Sequence, residues 1–379
     1  MKKILTTFSN SNYKTLNWIE IDRKKTLNNV EIIRDYTENK HIIPVLKANA
    51  YGHGIKQVAQ ILNDTDCAFL AVDGYFEAAK ILDITRHKVL VMGYILKDNI
   101  PLLNFNRCSF VVQDINTLRA LGATKKKITI HMELNTGMNR LGLSNEEISE
   151  YLQVLKQFPK LKLEGIMSHL ADADNDDEKF TLKQVAVFDK MVADILNQDF
   201  TPEYIHLGQT AGSIKEKSSY TNTVRLGIGL YGINPLTSGD IHFKKLEKLQ
   251  PILEFKTTVI KTFTATKGEP ISYNGIFTTK KPSAIAVLPI GYYEGVPREL
   301  SNKGNMSHEK NIFPIRGRVC MNHTMIDCTT SPLSSGDIVT FISSNTNLPN
   351  SVVGVGRDFN IFSYSFVTGL AESIRRIIV

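Results

Sequence analysis

Lys47 closes the apolar run Ile42–Leu46 and is followed by the small residues Ala48, Ala50, Gly52 and Gly54. A lysine held in an apolar setting has a depressed pKa, so its free amine can take a proton or form a Schiff base with an aldehyde. A lone loop lysine is ordinarily just solvated, but the apolar run before it and the small residues after it argue for the buried setting. Two further segments, Gln209-Thr210-Ala211-Gly212 and Gly227-Ile228-Gly229, are rich in small residues. Small residues let backbone N–H groups approach a phosphate, although glycine is equally at home in ordinary turns. An amine for an aldehyde and a cradle for a phosphate together suit pyridoxal 5′-phosphate.

These residues need a scaffold that gathers them. Eight apolar runs precede residue 240: Ile42–Leu46, Ala68–Val72, Val89–Met92, Ser109–Val112, Ile128–Leu134, Leu163–Ser168, Tyr204–Leu207 and Thr223–Leu226. The segments between them read as helices. Ser144 to Glu147 form a capping box, with Ile148, Tyr151, Leu152 and Leu155 on one helical face. Val185, Phe188, Met191, Val192 and Ile195 mark another face. Such alternation predicts an α/β fold, a parallel (β/α)8 TIM-type barrel whose strands are buried on both sides. An open doubly wound sheet would instead carry a glycine-rich nucleotide fingerprint after its first strand. In a barrel, residues just beyond the strands face the mouth, which selects Lys47, Tyr51, Glu133, Arg140, His169, Gln209, Thr210, Arg225, Gly227 and Ile228.

From about Leu246 the texture changes to β-branched runs separated by Gly, Pro, Ser and Asn: Phe255–Phe263, Ala284–Pro289, Asn311–Val319, Thr324–Cys328 and Ile338–Ile342. The expected division is a barrel over 1–244, with residues 1–14 free to pack on the second domain, and a mainly β, nominally all-β, C-terminal domain over 245–379. Residues 371–379 read as a short helix or strand returning to the core.

Of 379 residues, 42% are hydrophobic and 22% charged, ordinary globular values. No apolar stretch approaches the ~20 residues of a spanning helix. No signal-type apolar region follows the first residues, so a cytoplasmic location is expected. The four cysteines have no pairing or knuckle spacing, which predicts reduced thiols and no metal site. The net charge of +7 resides partly in clusters such as Lys125–Lys127 that lack interleaved aromatics, so no nucleic-acid partner is expected.

Val45-Leu46-Lys47-Ala48-Asn49-Ala50-Tyr51-Gly52-His53-Gly54 resembles the cofactor-lysine signature of alanine racemases, barrel-type pyridoxal phosphate enzymes. Further matching segments lie at 18–22, 135–142, 168–169, 225–232, 289–292 and 317–321, in order along almost the whole chain. The resemblance implies an isomerase that interconverts L- and D-alanine and supplies D-alanine for peptidoglycan. Lys47 would hold the cofactor and act as base on one face of Cα. Tyr273, in Ser272-Tyr273-Asn274-Gly275, matches a second base that reaches the other face from a partner subunit. Racemisation needs two such groups, because a lone base mostly regenerates the starting enantiomer. A tyrosine of ordinary pKa, about 10, needs positive neighbours to serve as a base, and His169 with Arg225 is similar to the family's relay behind it. The cofactor contacts map to Tyr51, His169, Gln209, Thr210, Arg225, Gly227, Ile228 and Tyr364. The substrate carboxylate maps to Arg140 and the Met321 N–H, with Asn322 beside them, and Tyr292 to the mouth across a head-to-tail homodimer with shared sites.

Arg225 also has a role that follows from chemistry alone. A guanidinium does not give up its proton at ordinary pH, so beside the pyridine nitrogen it leaves that atom unprotonated and weakens the ring as an electron sink. That favours racemisation over transamination. Three departures from the family pattern bear on the substrate. Glu133 stands where a carbamylated lysine often steadies the substrate arginine; its carboxylate is expected to hold Arg140, from either the barrel interior or the helix layer. Gln209-Thr210 replaces Asn-Ser, and Asn322 replaces an aspartate. These changes keep a serine or broad-spectrum racemase as the alternative. A non-catalytic pyridoxal phosphate carrier is the third reading, and the segments with Tyr273 and Met321 argue against it.

Overall fold

Each of the eight apolar runs forms a strand in the computed structural model, which describes residues 14–38 and 40–379. The strands are β2 (His41–Pro44), β3 (Phe69–Val72), β4 (Lys88–Val91), β5 (Cys108–Val112), β6 (Ile128–Glu133), β7 (Leu161–Met167), β8 (Tyr204–His206) and β9 (Thr223–Leu226). One more strand, β1 (Asn17–Ile21), precedes them. β2 to β9 are parallel in one sheet, with β2 beside β9 and then descending order to β3. The two ends of the sheet meet at a parallel bridge between Val45 and Ala71, where Leu46 N–H donates to Ala71 O at 2.7 Å. A closed barrel has no free edge to protect.

The two helices expected from a capping box and an apolar stripe are present, among others. Glu147 accepts from the Ser144 N–H at 2.8 Å to open the helix Asn145–Lys156, and Asp114 caps Ile115–Ala123 through Thr117 N–H. On Lys179–Leu196, Val185, Phe188, Met191, Val192 and Ile195 are all buried. Inside the barrel Ile43, Val45, Phe69, Ala71, Leu90, Val111 and Met167 make an apolar layer.

The chain divides into residues 23–252 and a second unit made of residues 253–379 together with the segment up to Asp22. The expected break at 244/245 therefore lies eight residues before the observed one, and the N-terminal strand is not part of the barrel. β1 alternates buried Ile19 and Ile21 with half-exposed neighbours; it pairs antiparallel with β10 (Leu253–Thr258) and parallel with the last strand, Arg375–Ile378. Most of the segment 1–14, expected to pack on the second domain, lies outside the described residues.

The other strands of this unit are β11 (Lys261–Ala265), β12 (Pro270–Ile271), β13 (Phe277–Thr278), β14 (Ser283–Leu288), β15 (Asn305–His308), β16 (Asn311–Pro314), β17 (Thr324–Asp327), β18 (Ile338–Ile342) and β19 (Arg375–Ile378). They build a six-stranded sheet, β16-β15-β18-β10-β1-β19, a three-stranded sheet, β11-β14-β17, and the hairpin β12-β13. The single run expected at Phe255–Phe263 is two strands: the chain leaves one sheet at Thr258 and enters the other at Lys261. All-β is corrected to mainly β by the helices Val352–Phe359 and Ser363–Thr368. Ser351 caps the first by accepting from Gly354 N–H at 2.9 Å, and Val352 and Val355 are buried; two glycines in the segment obscure that signal. Among the described residues no helix is long and apolar enough to cross a membrane, and no cluster of His, Cys, Asp or Glu is placed to hold a metal ion.

Candidate active site

Lys47 opens a turn of unusual hand. Ala48, Asn49 and Ala50 have φ of 54°, and Tyr51 has 51°, four consecutive non-glycine residues in the left-handed region. Each costs roughly 1–2 kcal/mol relative to the right-handed form, so the surroundings must over-determine the turn. It is closed by Ala50 N–H to Leu46 O at 2.8 Å and Gly52 N–H to Ala48 O at 3.0 Å, and it is tied outward by Asn49 Oδ1, which accepts from Ile55 N–H at 2.9 Å. The result sends the Tyr51 ring inward against Tyr231, centroids 4.9 Å apart, while Tyr231 donates to Val45 O at 2.7 Å. Burial pushes the Tyr51 phenol up to about 12, so its hydroxyl keeps its proton.

That hydroxyl converges with the loops after β8 and β9. A Cβ at Gly227 would stand 3.2 Å from Tyr51 Oη and 3.8 Å from Thr210 Oγ1. Thr210 Oγ1 accepts from Gly229 N–H at 3.1 Å and is fixed behind the short turn Ile228–Tyr231, whose opening N–H groups have no partner within it. Two hydroxyls thus converge on a bare glycine at the opening of the turn, an arrangement that leaves room for an anion. Gln209 points elsewhere: its amide donates to Leu170 O at 3.4 Å, and its Oε1 is buried against Gly212 without a protein partner.

Arg225 projects from β9 and is 3% exposed. Its Nη1 donates to His206 Nδ1 at 2.8 Å and His206 O at 3.1 Å; its Nη2 donates to Ser168 O at 2.6 Å, Leu207 O at 2.8 Å and His169 Nδ1 at 3.2 Å. The Nε–H is the donor left over. Burial draws the guanidinium down to about 10, against the support of the Glu133 and Glu216 charges, so it remains a cation at neutral pH. Because arginine has no acceptor, both imidazoles that meet it must accept. His206 therefore carries its proton on Nε2 and donates to His131 Nδ1 at 2.9 Å. His131 in turn carries its proton on Nε2, facing Glu164 Oε2 at 3.6 Å. Glu164 also receives the Ser109 hydroxyl and, at 3.0 Å, the Lys88 ammonium. A row of polar groups thus runs from the mouth through the barrel interior.

Three positive charges surround His169. Burial, then Arg225, Arg140 and Lys47, push its imidazole down to about 3, so it is neutral with Nδ1 accepting and Nε2–H available. Arg140 is exposed on the loop after β6 and makes no hydrogen bond or ion pair among the described residues. Glu133 is buried and faces the barrel interior, on the same side of β6 as His131, which resolves the choice left open by its alternation. Burial raises its pKa; the charges of Arg225 and Arg140 and a hydrogen bond from Gln113 oppose that rise. Lys47, Tyr51, Glu133, Arg140, His169, Thr210, Arg225, Gly227 and Ile228 are thus gathered at one end of the barrel. His206, Gln113 and Glu77, which the sequence did not single out, join them. His206 was the findable one, a polar residue at the inward position of an apolar run.

The remaining candidates lie on the C-terminal unit. Tyr273 begins a short turn after Ser272, whose hydroxyl donates to Arg318 O at 2.6 Å. Tyr292 N–H donates to Cys320 O and Tyr293 N–H to Met321 O, both at 3.0 Å. Gly291 permits this approach, since a Cβ there would stand 2.1 Å from Cys320 O. Asn322 donates to Glu294 Oε1 at 2.8 Å, and Glu294 Oε2 accepts from Gly291 N–H at 2.8 Å. Tyr273 is 66% exposed and Met321 55%. Tyr364 stacks on Phe362 with centroids 4.9 Å apart.

Comparison with known proteins finds alanine racemases. Models described as alanine racemase N-terminal and C-terminal domains match residues 21–235 and 252–378. An alanine racemase of Methanococcus maripaludis is 32% identical over 368 residues, covering 95% of this chain and 98% of that protein. One from Francisella tularensis is 31% identical over 372 residues, covering 96% and 100%. Among solved structures, alanine racemase from Bacillus anthracis with bound L-Ala-P superposes with a TM-score of 0.87 at 27% identity, covering 97% and 96%. Alanine racemase from Bartonella henselae with covalently bound pyridoxal phosphate gives 0.82 at 25%, covering 97% and 100%.

Proposed function

The chain belongs to the alanine racemase family, and on that premise we propose that it interconverts L- and D-alanine by a two-base reaction. The family is pyridoxal phosphate-dependent, and the barrel mouth fits that group. The glycine whose Cβ would crowd Tyr51 Oη leaves room for a phosphate, with Thr210, Gly227 and Ile228 beside it; Tyr364 is a phosphate contact only by the family resemblance. Arg225 Nε–H suits the ring nitrogen, and Lys47 the aldehyde. The bound cofactor supplies the electron sink that makes the substrate Cα–H acidic.

The observation that carries the reading is Arg225. Its other N–H groups are spent on protein acceptors, and it stays a cation, so it donates a hydrogen bond without handing over a proton. Lys47 Nζ takes the α-proton on one face. Tyr273 Oη, from a second copy of the chain in a head-to-tail homodimer, returns a proton to the other; for the reverse direction the roles exchange. His169 Nε2–H, on a neutral ring held beside three cations, stabilises the phenolate that forms. Arg140 grips the substrate carboxylate with the Met321 N–H, Glu133 balances Arg140, and Tyr292 narrows the mouth from the partner. Asn322 has its amide committed to Glu294 and acts on the Met321 loop, leaving alanine the better supported substrate over serine or a broad range. The setting that follows is cytoplasmic, with D-alanine delivered to peptidoglycan.

The test is incubation of the purified protein, loaded with pyridoxal phosphate, with a panel of L-amino acids, followed by chromatographic resolution of enantiomers. D-alanine should appear first and fastest. No interconversion of any amino acid would defeat the proposal.

A further inference from the structure

Four consecutive left-handed, non-glycine residues beside a reactive lysine need restraint; His53 Nδ1 lies 2.8 Å from Tyr51 O within the same loop, and one side chain reaches in from the helix after the next strand. Glu77 is 5% exposed, on the helix Tyr75–Ala79 after β3. Its Oε2 accepts from Asp73 N–H at 2.9 Å and Gly74 N–H at 3.4 Å, which is the ordinary duty of an acid at the third position of a helix. Its Oε1 accepts from Ala48 N–H at 2.7 Å, and that bond is not part of any helix cap. It reaches across the seam where β2 and β3 close the barrel and lands on the first left-handed residue.

We propose that Glu77 is a positioning residue for the reaction: it restrains the left-handed turn Ala48–Tyr51 and thereby sets Lys47 and the Tyr51 hydroxyl at the cofactor. The carboxylate suits this post because it is an acceptor only. Three N–H donors converge on its two oxygens, and a charge-assisted bond to a backbone N–H is stronger than a neutral one. A glutamine of the same shape would present an amide NH2 to one of those donors. Ala48 itself is exposed, so its methyl group contributes conformational cost to the turn without core packing in return.

The role predicts an energetic coupling between a buried acid and an exposed alanine. Glu77→Gln should speed amide hydrogen exchange of residues 48–54 by about tenfold or more in the cofactor-free protein, with exchange in the helix Lys179–Leu196 unchanged. It should weaken pyridoxal phosphate affinity by a similar factor, the order expected for losing one charge-assisted hydrogen bond. Glycine adopts the left-handed region at no steric cost, so in an Ala48→Gly background the same Glu77→Gln change should have an effect several-fold smaller on both readouts. Equal effects in the two backgrounds overturn the proposal. So does faster exchange throughout the barrel, which marks general destabilisation, or no change in exchange at 48–54. The inference rests on Lys47 and Tyr51 serving the cofactor. Faster exchange at 48–54 with undiminished affinity would sink that assignment and leave the restraint standing.

Discussion

The barrel mouth and the loops around Tyr273 are built in opposite ways. Arg225 and His169 are surrounded by their own chain, and each hydrogen bond they make to protein has an assigned direction. Tyr273 and Met321, assigned to the same reaction, stand largely exposed on short turns. The contrast separates two jobs. Holding a cofactor for the life of the protein favours groups whose orientation was fixed during folding, at the expense of burying charge. Meeting a substrate that comes and goes favours groups that a second surface can cover.

Substitutions at the two regions should differ in kind. Lys47→Ala should cut racemisation by at least about a thousandfold, because it removes both the cofactor attachment and one proton carrier. Activity within tenfold of the parent would break the barrel half of the comparison. Tyr273→Phe should lower turnover by about a hundred- to ten-thousandfold, the usual worth of a positioned acid or base, while leaving cofactor affinity intact. Weakened cofactor binding would show that the exposed loops also hold the group. Asn322→Asp should raise KM for alanine several-fold by setting two carboxylates against each other, and Glu294→Gln in the same chain should restore it. With both changes in place, the introduced amide can still accept from Gly291 N–H and can donate to the introduced carboxylate, so the pair is satisfied again with its polarity reversed.

A further effect is on stability, and it belongs to the barrel alone. His131, His169 and His206 are neutral in the fold, with pKa values driven below the usual 6.5 chiefly by burial. A depressed folded pKa contributes stability that is present above the unfolded value and is lost as pH falls through the folded one. Acidification from about 6.5 toward 3, the window set by His169, should therefore lower unfolding free energy by about 1.4 kcal/mol per pH unit for that histidine, with His131 and His206 steepening the slope in the same direction. Thermal unfolding between pH 7 and 5 measures it. A His206→Gln variant should show a shallower slope than the parent, and identical slopes would remove His206 from the account.

Much of the barrel was legible because its signals are local. Eight strands buried on both faces read as apolar runs, and the mouth residues sit at their ends or in the loops that follow them. The same reading joined Phe255 to Phe263, because hydrophobicity cannot register that a chain changes sheets between Thr258 and Lys261. It also placed the N-terminal strand with the barrel, since β1 gains its partners from residues more than 200 positions away. Lys47 was legible by composition, but the hand of its turn was not: Ala, Asn, Ala and Tyr carry no left-handed signal as a set. Glu77 looked like any helix-capping acid, because what distinguishes it is a bond to a residue 29 positions earlier.

The row of imidazoles behind Arg225 has one further consequence. Arg225 has no lone pair to receive a proton and none it readily gives up, so it terminates the exchangeable groups at their end nearest the mouth. His206 and His131 then behave as an aligned pair of dipoles, polarised by Glu164, and not as a conduit. A hydrogen lifted from the substrate has no exit through the floor of the barrel. Its isotopic label can be lost only toward the open side, where the rate of solvent exchange is set by whatever closes over the mouth.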